Sequence, residues 1–192
     1  MSITTGSIRV LHGMGGRTAG LVVVMVAALL LLPSCSSVGR YTPDPAIAKG
    51  VAGDISYSGP LAIVNAQDST EEHDVGFRGI TVSYQEFTQS LVDALKAEFE
   101  SNGATIQDAA DKKLSVSVTT VSMTPTAATY RGAIRATVET ADGHREKFYA
   151  TRSSYASGWN VGTNPTKPFN TAFKDLVKSI VENEAISAYL AD

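Results

Sequence analysis

The chain has 192 residues, of which 16 are basic and 19 acidic, so its formal net charge is −3 at pH 7. The basic residues form no cluster that could follow a phosphate backbone, which excludes nucleic acid as an expected partner. The single cysteine excludes an intrachain disulfide, and the length fits one folded domain with its own core.

An apolar run at residues 21–32 predicts a secretory signal peptide over residues 1–34. The run falls short of the ~20 apolar residues that a membrane-spanning helix needs. A spanning anchor is the alternative, but small, polar and helix-breaking residues on both sides extend the run poorly. The motif at residues 32–35, Leu-Pro-Ser-Cys, resembles the lipobox of bacterial lipoproteins. We therefore expect cleavage between Ser34 and Cys35, with a lipid anchor on Cys35.

Cleavage at this site would leave a mildly acidic mature chain. It would have 192 − 34 = 158 residues, with 16 − 2 = 14 basic and 19 acidic side chains, hence a net charge of −5. Residues 35–59 are rich in Ser, Gly and Pro, which predicts a lipidated N-terminus with a flexible tether. A single globular domain is expected over residues 60–192.

A buried strand is predicted at Leu61–Val64, followed by a polar loop over residues 65–74. The loop contains Glu71–Asp74, the only run of metal-ligand residue types. It lacks the two histidines at helical spacing that zinc proteases use, so we interpret it as a solvated acidic loop. A second short extended piece is predicted at Ile80–Val82.

The strongest local signal after the leader predicts a helix that begins at Ser83. Ser83 and Glu86 have the spacing of a capping box. An apolar stripe follows at steps of four residues, with charged residues, Glu98 among them, on other faces. Its members are Phe87, Leu91, Leu95 and Phe99. Asn102-Gly103 is a typical helix end.

Strict alternation of apolar and polar residues from Leu114 predicts a strand with one wet face. The alternation changes phase before Val121, so a β-bulge or a departure from the sheet is expected near Thr119-Thr120. A second half-exposed strand is predicted from Tyr130, with Arg131, Arg135 and Glu139 on its polar side.

Two hairpin turns could join this strand to the next one, Arg145–Tyr155. A two-residue turn at Asp142-Gly143 would place Glu139 opposite Glu146, a pair of like charges. A three-residue turn that ends with a left-handed Gly143 places Glu139 opposite Arg145 and is preferred.

The last predicted elements are an irregular link over residues 156–167 and a helix of about 20 residues that begins at Pro168 and continues to Leu190. The order β-α-β-β-β-α predicts an α+β fold, in which a mostly antiparallel sheet carries two amphipathic helices on one face.

The candidate partner contact is the connection from Tyr155 to Phe169, since it is long and holds the only tryptophan, Trp159. In the competing interpretation, Trp159 packs down over one end of the core. His144 lies at a turn without a carboxylate at a diagnostic spacing. No catalytic site, metal site, nucleotide motif or cofactor is predicted.

The order of these features resembles the YajG-like family of small uncharacterised bacterial lipoproteins. The resemblance depends on the lipobox, on the helix that ends at Asn102-Gly103, on the strand 114–118, on the hairpin at Tyr130-Arg131 and on the closing helix 172–190. It implies a fold and a location but no activity. A coarser similarity links the chain to the auxiliary lipoproteins of ABC-type lipid transport.

The leading hypothesis is a non-enzymatic envelope lipoprotein whose domain faces the periplasm and binds a partner, such as an envelope protein, or has a structural role. An auxiliary subunit of ABC-type lipid transport is the alternative. Ser36 follows the lipidated cysteine, and a residue other than Asp at that position resembles an outer-membrane sorting signal.

Overall fold

The computed structural model describes residues 39–53, 55–77, 79–126, 129–155 and 166–191, with only the backbone of Tyr155. These residues form an α+β fold with three α-helices and a mixed five-stranded sheet. The strands are β1 (Gly59–Asn65), β2 (Glu72–Asp74), β3 (Thr81–Ser83), β4 (Ala104–Ile106), β5 (Lys113–Pro125), β6 (Thr129–Thr140) and β7 (Arg145–Tyr155). The helices are α1 (Tyr84–Ser101), α2 (Lys167–Val181) and α3 (Glu184–Ala191), preceded by a 3-10 helix (Pro45–Ala48).

The main sheet has the strand order β4-β1-β5-β6-β7. β1 runs parallel to both β4 and β5, whereas β5, β6 and β7 form antiparallel pairs. The sheet is therefore mixed rather than mostly antiparallel. The predicted order omitted β4, whose three residues are too short to give a periodic signal, and this strand adds a second parallel pairing at the edge.

A second, two-stranded sheet joins β2 to β3, so part of the predicted acidic loop is a strand. Glu72 pairs with Ser83 and Asp74 with Thr81. The ring of His73 stacks on Tyr84 at 4.1 Å between centroids. Three polar residues carry no apolar alternation, so their pairing could not be predicted from the pattern.

Helix α1 begins where the capping signal predicts. The Ser83 hydroxyl accepts a hydrogen bond from the Glu86 amide at 3.4 Å, and the predicted apolar stripe is fully buried. Glu98 lies outside this stripe, as predicted, yet its side chain is only 1% exposed. Its carboxylate accepts hydrogen bonds from the amides of Gly50 and, at 3.2 Å, Ala52.

Both irregularities predicted for the antiparallel strands are confirmed. The register of β5 and β6 shifts between Val118 and Thr120, which is the expected bulge. At the hairpin, Glu139 pairs with Arg145, as the three-residue turn requires. Gly143 has the left-handed φ of 88° that this turn needs.

The predicted terminal helix is two helices, with a break at Glu182 and Asn183. Pro168 lies in the first turn of α2, as predicted. The Asn183 side chain accepts a hydrogen bond from the Ile186 amide at 3.0 Å and so caps a new helix. The apolar periodicity continues across the break, which is why the sequence pattern suggested one helix.

The segment predicted as a tether is packed onto the domain over its described part, residues 39–53 and 55–58, which we call the N-terminal strap. Ala48 is fully buried and Tyr57 is 8% exposed. The Tyr41 amide donates a hydrogen bond to the Thr81 carbonyl at 2.8 Å, and the Tyr57 amide donates one to the Asn102 carbonyl at 2.8 Å. These apolar and hydrogen-bonded anchors are too widely spaced to form a periodic pattern, so composition alone suggested a linker.

The packing leaves the two faces of the main sheet unlike each other. Helix α1 packs against β1, β4 and β5, and α2 packs against β6 and β7. The apolar side chains of β5 and β6 that face these helices are buried, whereas the alternate side chains are mostly polar. We call this second, mostly polar side of β5, β6 and β7 the open face.

Candidate functional site

The predicted contact connection is described only at its two ends. Trp159 and the side chain of Tyr155 lie outside the described residues, so their roles stay predictions. Phe169 is fully buried and its ring stacks on Tyr41 at 5.4 Å, which makes it a core residue rather than a contact residue. It belongs to the apolar stripe of α2, and Gly132 of β6 lets this helix approach closely. Ser34 and Cys35 also lie outside the described residues, so cleavage and acylation stay predictions.

The acidic run is held by contacts within the domain. Glu72 forms a salt bridge to Arg40 at 3.3 Å, and the Thr81 hydroxyl donates a hydrogen bond to it at 3.2 Å. The Asp74 carboxylate accepts a hydrogen bond from the Gly76 amide at 2.6 Å. Within the described part of the chain, no group of three or more His, Cys, Asp or Glu side chains could hold a metal ion.

His144 lies at the exposed β6-β7 turn, as predicted. One ring nitrogen is 2.9 Å from a carboxylate oxygen of Glu146. In the same turn, the Thr140 hydroxyl donates a hydrogen bond to Asp142, and this bond is the largest cause that lowers the pKa of Asp142. These contacts order the turn.

The chain enters the domain on the helix-covered side of the sheet. Arg40 bridges β2 and α1 through salt bridges to Glu72 and, at 2.8 Å, Glu86. The Tyr41 ring contacts Phe87 of α1 and Phe169 of α2. Burial raises the pKa of the Tyr41 hydroxyl. The strap therefore begins on the side of the sheet opposite to the open face.

The open face consists of polar cross-strand rows. Three consecutive rows are Ser115–Glu139–Arg145, Ser117–Thr137–Lys147 and Thr120–Arg135–Tyr149. Each row places one residue from β5, β6 and β7 side by side, since side chains alternate between the two faces of a sheet. The face is thus rich in hydroxyl groups and cations.

Tyr149 is the exposed large hydrophobic residue of the described chain, with 56% of its surface accessible. The guanidinium carbon of its cross-strand neighbour Arg135 is 5.2 Å from the centre of the tyrosine ring, a cation–π arrangement. Lys147 lies one row away, on the same side of β7. With the hydroxyls of Thr119, Thr120 and Thr137, these residues line a shallow depression of about 430 Å³.

A second depression of about 280 Å³ adjoins the first and shares Thr119 and Thr137 with it. Its rim carries an ion pair in which the Arg145 Nε donates to a Glu139 oxygen at 2.9 Å. The two depressions form one half-open surface of mixed polar and apolar character. Small-molecule sites usually enclose most of their ligand, so this shape fits a flat partner better.

Sequence reasoning missed Tyr149 and Lys147 as site residues. The available signal was the alternation in β6 and β7, which places Arg135, Lys147 and Tyr149 at odd positions opposite the buried set. Such a pattern predicts only a wet face, because it does not reveal which strands lie beside each other.

An open cleft of about 650 Å³ lies between the strap, the residues before β5 and α3. The Lys112 ammonium donates to the carbonyls of Tyr189 and Leu190 at 2.9 and 2.8 Å. Tyr57 donates to the Val181 carbonyl, and burial is the largest cause that raises the pKa of Tyr57. The polar groups of the cleft thus hold the end of the helix layer.

Fold and surface together define a small α+β domain with one helix-covered and one open polar sheet face. A family model described as "Uncharacterized lipoprotein" matches residues 78–191. The chain belongs to this family of uncharacterised lipoproteins, which confirms the YajG-like resemblance. Membership supports attachment to a membrane of the cell envelope through lipid.

Two further comparisons add little about function. The comparison with curated proteins gives no match. Among solved structures, the crystal structure of protein XCC0632 from Xanthomonas campestris, assigned to family DUF330, is similar with 18% identity and a TM-score of 0.48. The similarity covers 78% of this chain and 96% of that one. None of the helices in the part of the chain that the structure describes has both the length and the hydrophobicity of a membrane-spanning segment.

Proposed function

We propose that this protein is a lipid-anchored lipoprotein of the cell envelope whose domain faces the periplasm and binds a partner without catalysing a reaction. The anchor is Cys35, and Ser36 favours the outer membrane. The proposal of no catalysis rests on the sequence, which holds no nucleophile–base pair or metal-ligand set at a recognisable spacing.

The observation that carries the binding proposal is the exposed Tyr149 beside Arg135 on the open face. Tyr and Arg are enriched where protein interfaces carry most of their binding energy. A solvent-exposed sheet face needs no aromatic ring for folding, because polar side chains alone are well solvated there. We therefore place the partner contact on this face rather than on the Tyr155–Phe169 connection.

Anchoring is tested by replacing Cys35 with Ser in the full chain. The thioether bond to the lipid needs the cysteine sulfur, so Cys35→Ser should accumulate as an uncut precursor without incorporated fatty acid. Metabolic labelling with a fatty acid and gel mobility give the readout. A Cys35→Ser protein that is still cut and labelled contradicts the anchor.

Partner binding is tested by photo-crosslinking in living cells. A photoreactive phenylalanine analogue replaces Tyr149 in one strain and, as the matched control, the exposed Ala97 of α1 in another. We expect a discrete protein adduct at position 149 that is absent at position 97. No adduct at position 149 would contradict the binding proposal, and an adduct to lipid would favour the lipid-transport alternative.

A further inference from the structure

We infer that the open face binds a protein partner through an acidic surface, with a partner carboxylate seated in the depression between Arg135 and Lys147. This inference depends on the proposed function, because it specifies the chemistry of the partner at the same face.

The charge of the open face is opposite to that of the whole chain. The side chains that β5, β6 and β7 present there include five basic residues and one acidic residue, Glu139, which gives 5 − 1 = +4. The basic residues are Lys113, Arg131, Arg135, Arg145 and Lys147. The mature chain would have a net charge of −5, so the rest of it would carry −9. This asymmetry favours an acidic partner and repels a basic one.

Four of these five cations form no salt bridge among the described residues, and two of the four, Arg135 and Lys147, line the depression. Glu139 neutralises Arg145, the cation nearest to it. Among the described residues, Arg135 and Lys147 have no carboxylate within salt-bridge distance. They are diagonal neighbours on β6 and β7, and such neighbours lie about 7–8 Å apart at their Cα atoms. Both long side chains can therefore reach one carboxylate above the depression of about 430 Å³.

The hydroxyl groups of the depression suit the same ligand. Thr119, Thr120 and Thr137 line it and can donate hydrogen bonds to carboxylate oxygens. Tyr149 forms the apolar part of the rim, which a flat protein surface can cover. Charge, donors and shape thus favour one kind of occupant.

The position of the strap favours a protein over the anchoring membrane. Arg40 and Tyr41 attach to β2, α1 and α2, on the side of the sheet opposite to the open face. A chain that is held by its N-terminus therefore presents Tyr149 away from the side on which the strap enters. That arrangement suits a partner within the compartment better than lipid head groups.

The size of the face predicts a weak and rapidly reversible contact. Three strands about 4.8 Å apart and about 11 residues long, at about 3.3 Å per residue, cover roughly 500 Å². A stable interface buries about 800 Å² on each partner. We expect binding that depends on electrostatic attraction and weakens strongly with salt.

The experiment repeats the crosslinking at position 149 in the full lipidated chain with charge reversals. Arg135→Glu with Lys147→Glu should lower the adduct yield roughly tenfold, because opposite charges become like charges. The control, Lys96→Glu with Lys174→Glu, changes the net charge equally on the helix layer and should leave the yield unchanged. The thermal unfolding of both variants should match that of the wild type.

A second arm uses isolated envelopes and defined probes. Excess poly-L-glutamate should compete for the face and reduce the adduct, whereas poly-L-lysine should not. Raising the salt from about 0.1 M to about 1 M shortens the screening length from about 10 Å to about 3 Å, so the adduct should also decrease. Mass spectrometry of the crosslinked peptide should map the contact to an Asp- or Glu-rich segment of the partner.

The outcomes separate this inference from the proposed function. An adduct that survives the charge reversal overturns the inference and leaves partner binding intact, whereas no adduct in the wild type overturns both. Greater recovery of the wild type than of the reversed variant on phosphatidylglycerol vesicles, or an adduct to lipid, also overturns it. If the reversed variant self-associates and the wild type does not, these charges instead prevent strand pairing between copies at the β7 edge, and the inference is wrong.

Discussion

Glu98 is the residue whose role differs most from its sequence pattern. It lies two positions before the exposed Glu100, yet its carboxylate is buried and accepts hydrogen bonds from the strap amides of Gly50 and Ala52. Replacing Glu98 with Ala leaves two part-buried amides without their acceptor. We expect the free energy of unfolding to fall by about 1–3 kcal/mol, measured by urea denaturation of the purified lipoprotein. Glu100→Ala, on the exposed side of the same helix, is the control, and an equal effect of the two would disprove the role of Glu98.

Residue-level predictions were correct where the interaction is local in sequence. Ser83 caps the amide of Glu86, three positions later, and Gly143 supplies the φ that its own turn requires. The partners of Glu98 lie more than 40 positions away. The residues that flank a carboxylate in the sequence do not reveal its burial when the segment that covers it is distant in the chain.

At the scale of elements, the glycine at position 132 lets α2 pack closely against β6. A Cβ atom there would lie 3.1 Å from both a ring carbon of Phe169 and the Cβ of Pro168. Gly132→Ala should therefore destabilise the protein by about 1–3 kcal/mol through overpacking, measured as a lower urea midpoint. Gly39→Ala is the matched control, because a Cβ at Gly39 meets nothing within 4 Å. A Gly132→Ala protein as stable as its control would mean that α2 can shift away without cost.

Long elements with regular periods could be predicted, and short ones could not. The two-residue period of β5 even located the bulge before Thr120, because a phase change moves every later side chain to the other face. β2 and β4 have three residues each, so no period develops. The break between α2 and α3 was missed for the opposite reason, since the apolar stripe continues through Asn183.

For the whole molecule, the sequence predicted the helix-covered core but not the charged face on its other side. Arg135, Lys147 and Tyr149 were visible only as members of alternating strands. Their proximity depends on the register of β6 with β7, and the depression depends in addition on β5 and its bulge. A surface built from three strands becomes visible only when the pairing of all three is known.

We expect the folded domain to begin within the N-terminal strap. The sequence placed its boundary near Pro60, whereas the strap contributes Ala48 and Tyr57 to the core and the amides that satisfy Glu98. A soluble fragment that begins at Gly39 should unfold cooperatively in urea. A fragment that begins at Pro60 should lose several kcal/mol or show no cooperative transition, because apolar surface is exposed and a buried carboxylate loses its donors. Equal urea midpoints for the two fragments would mean that residues 39–58 do not stabilise the domain and serve only as a tether.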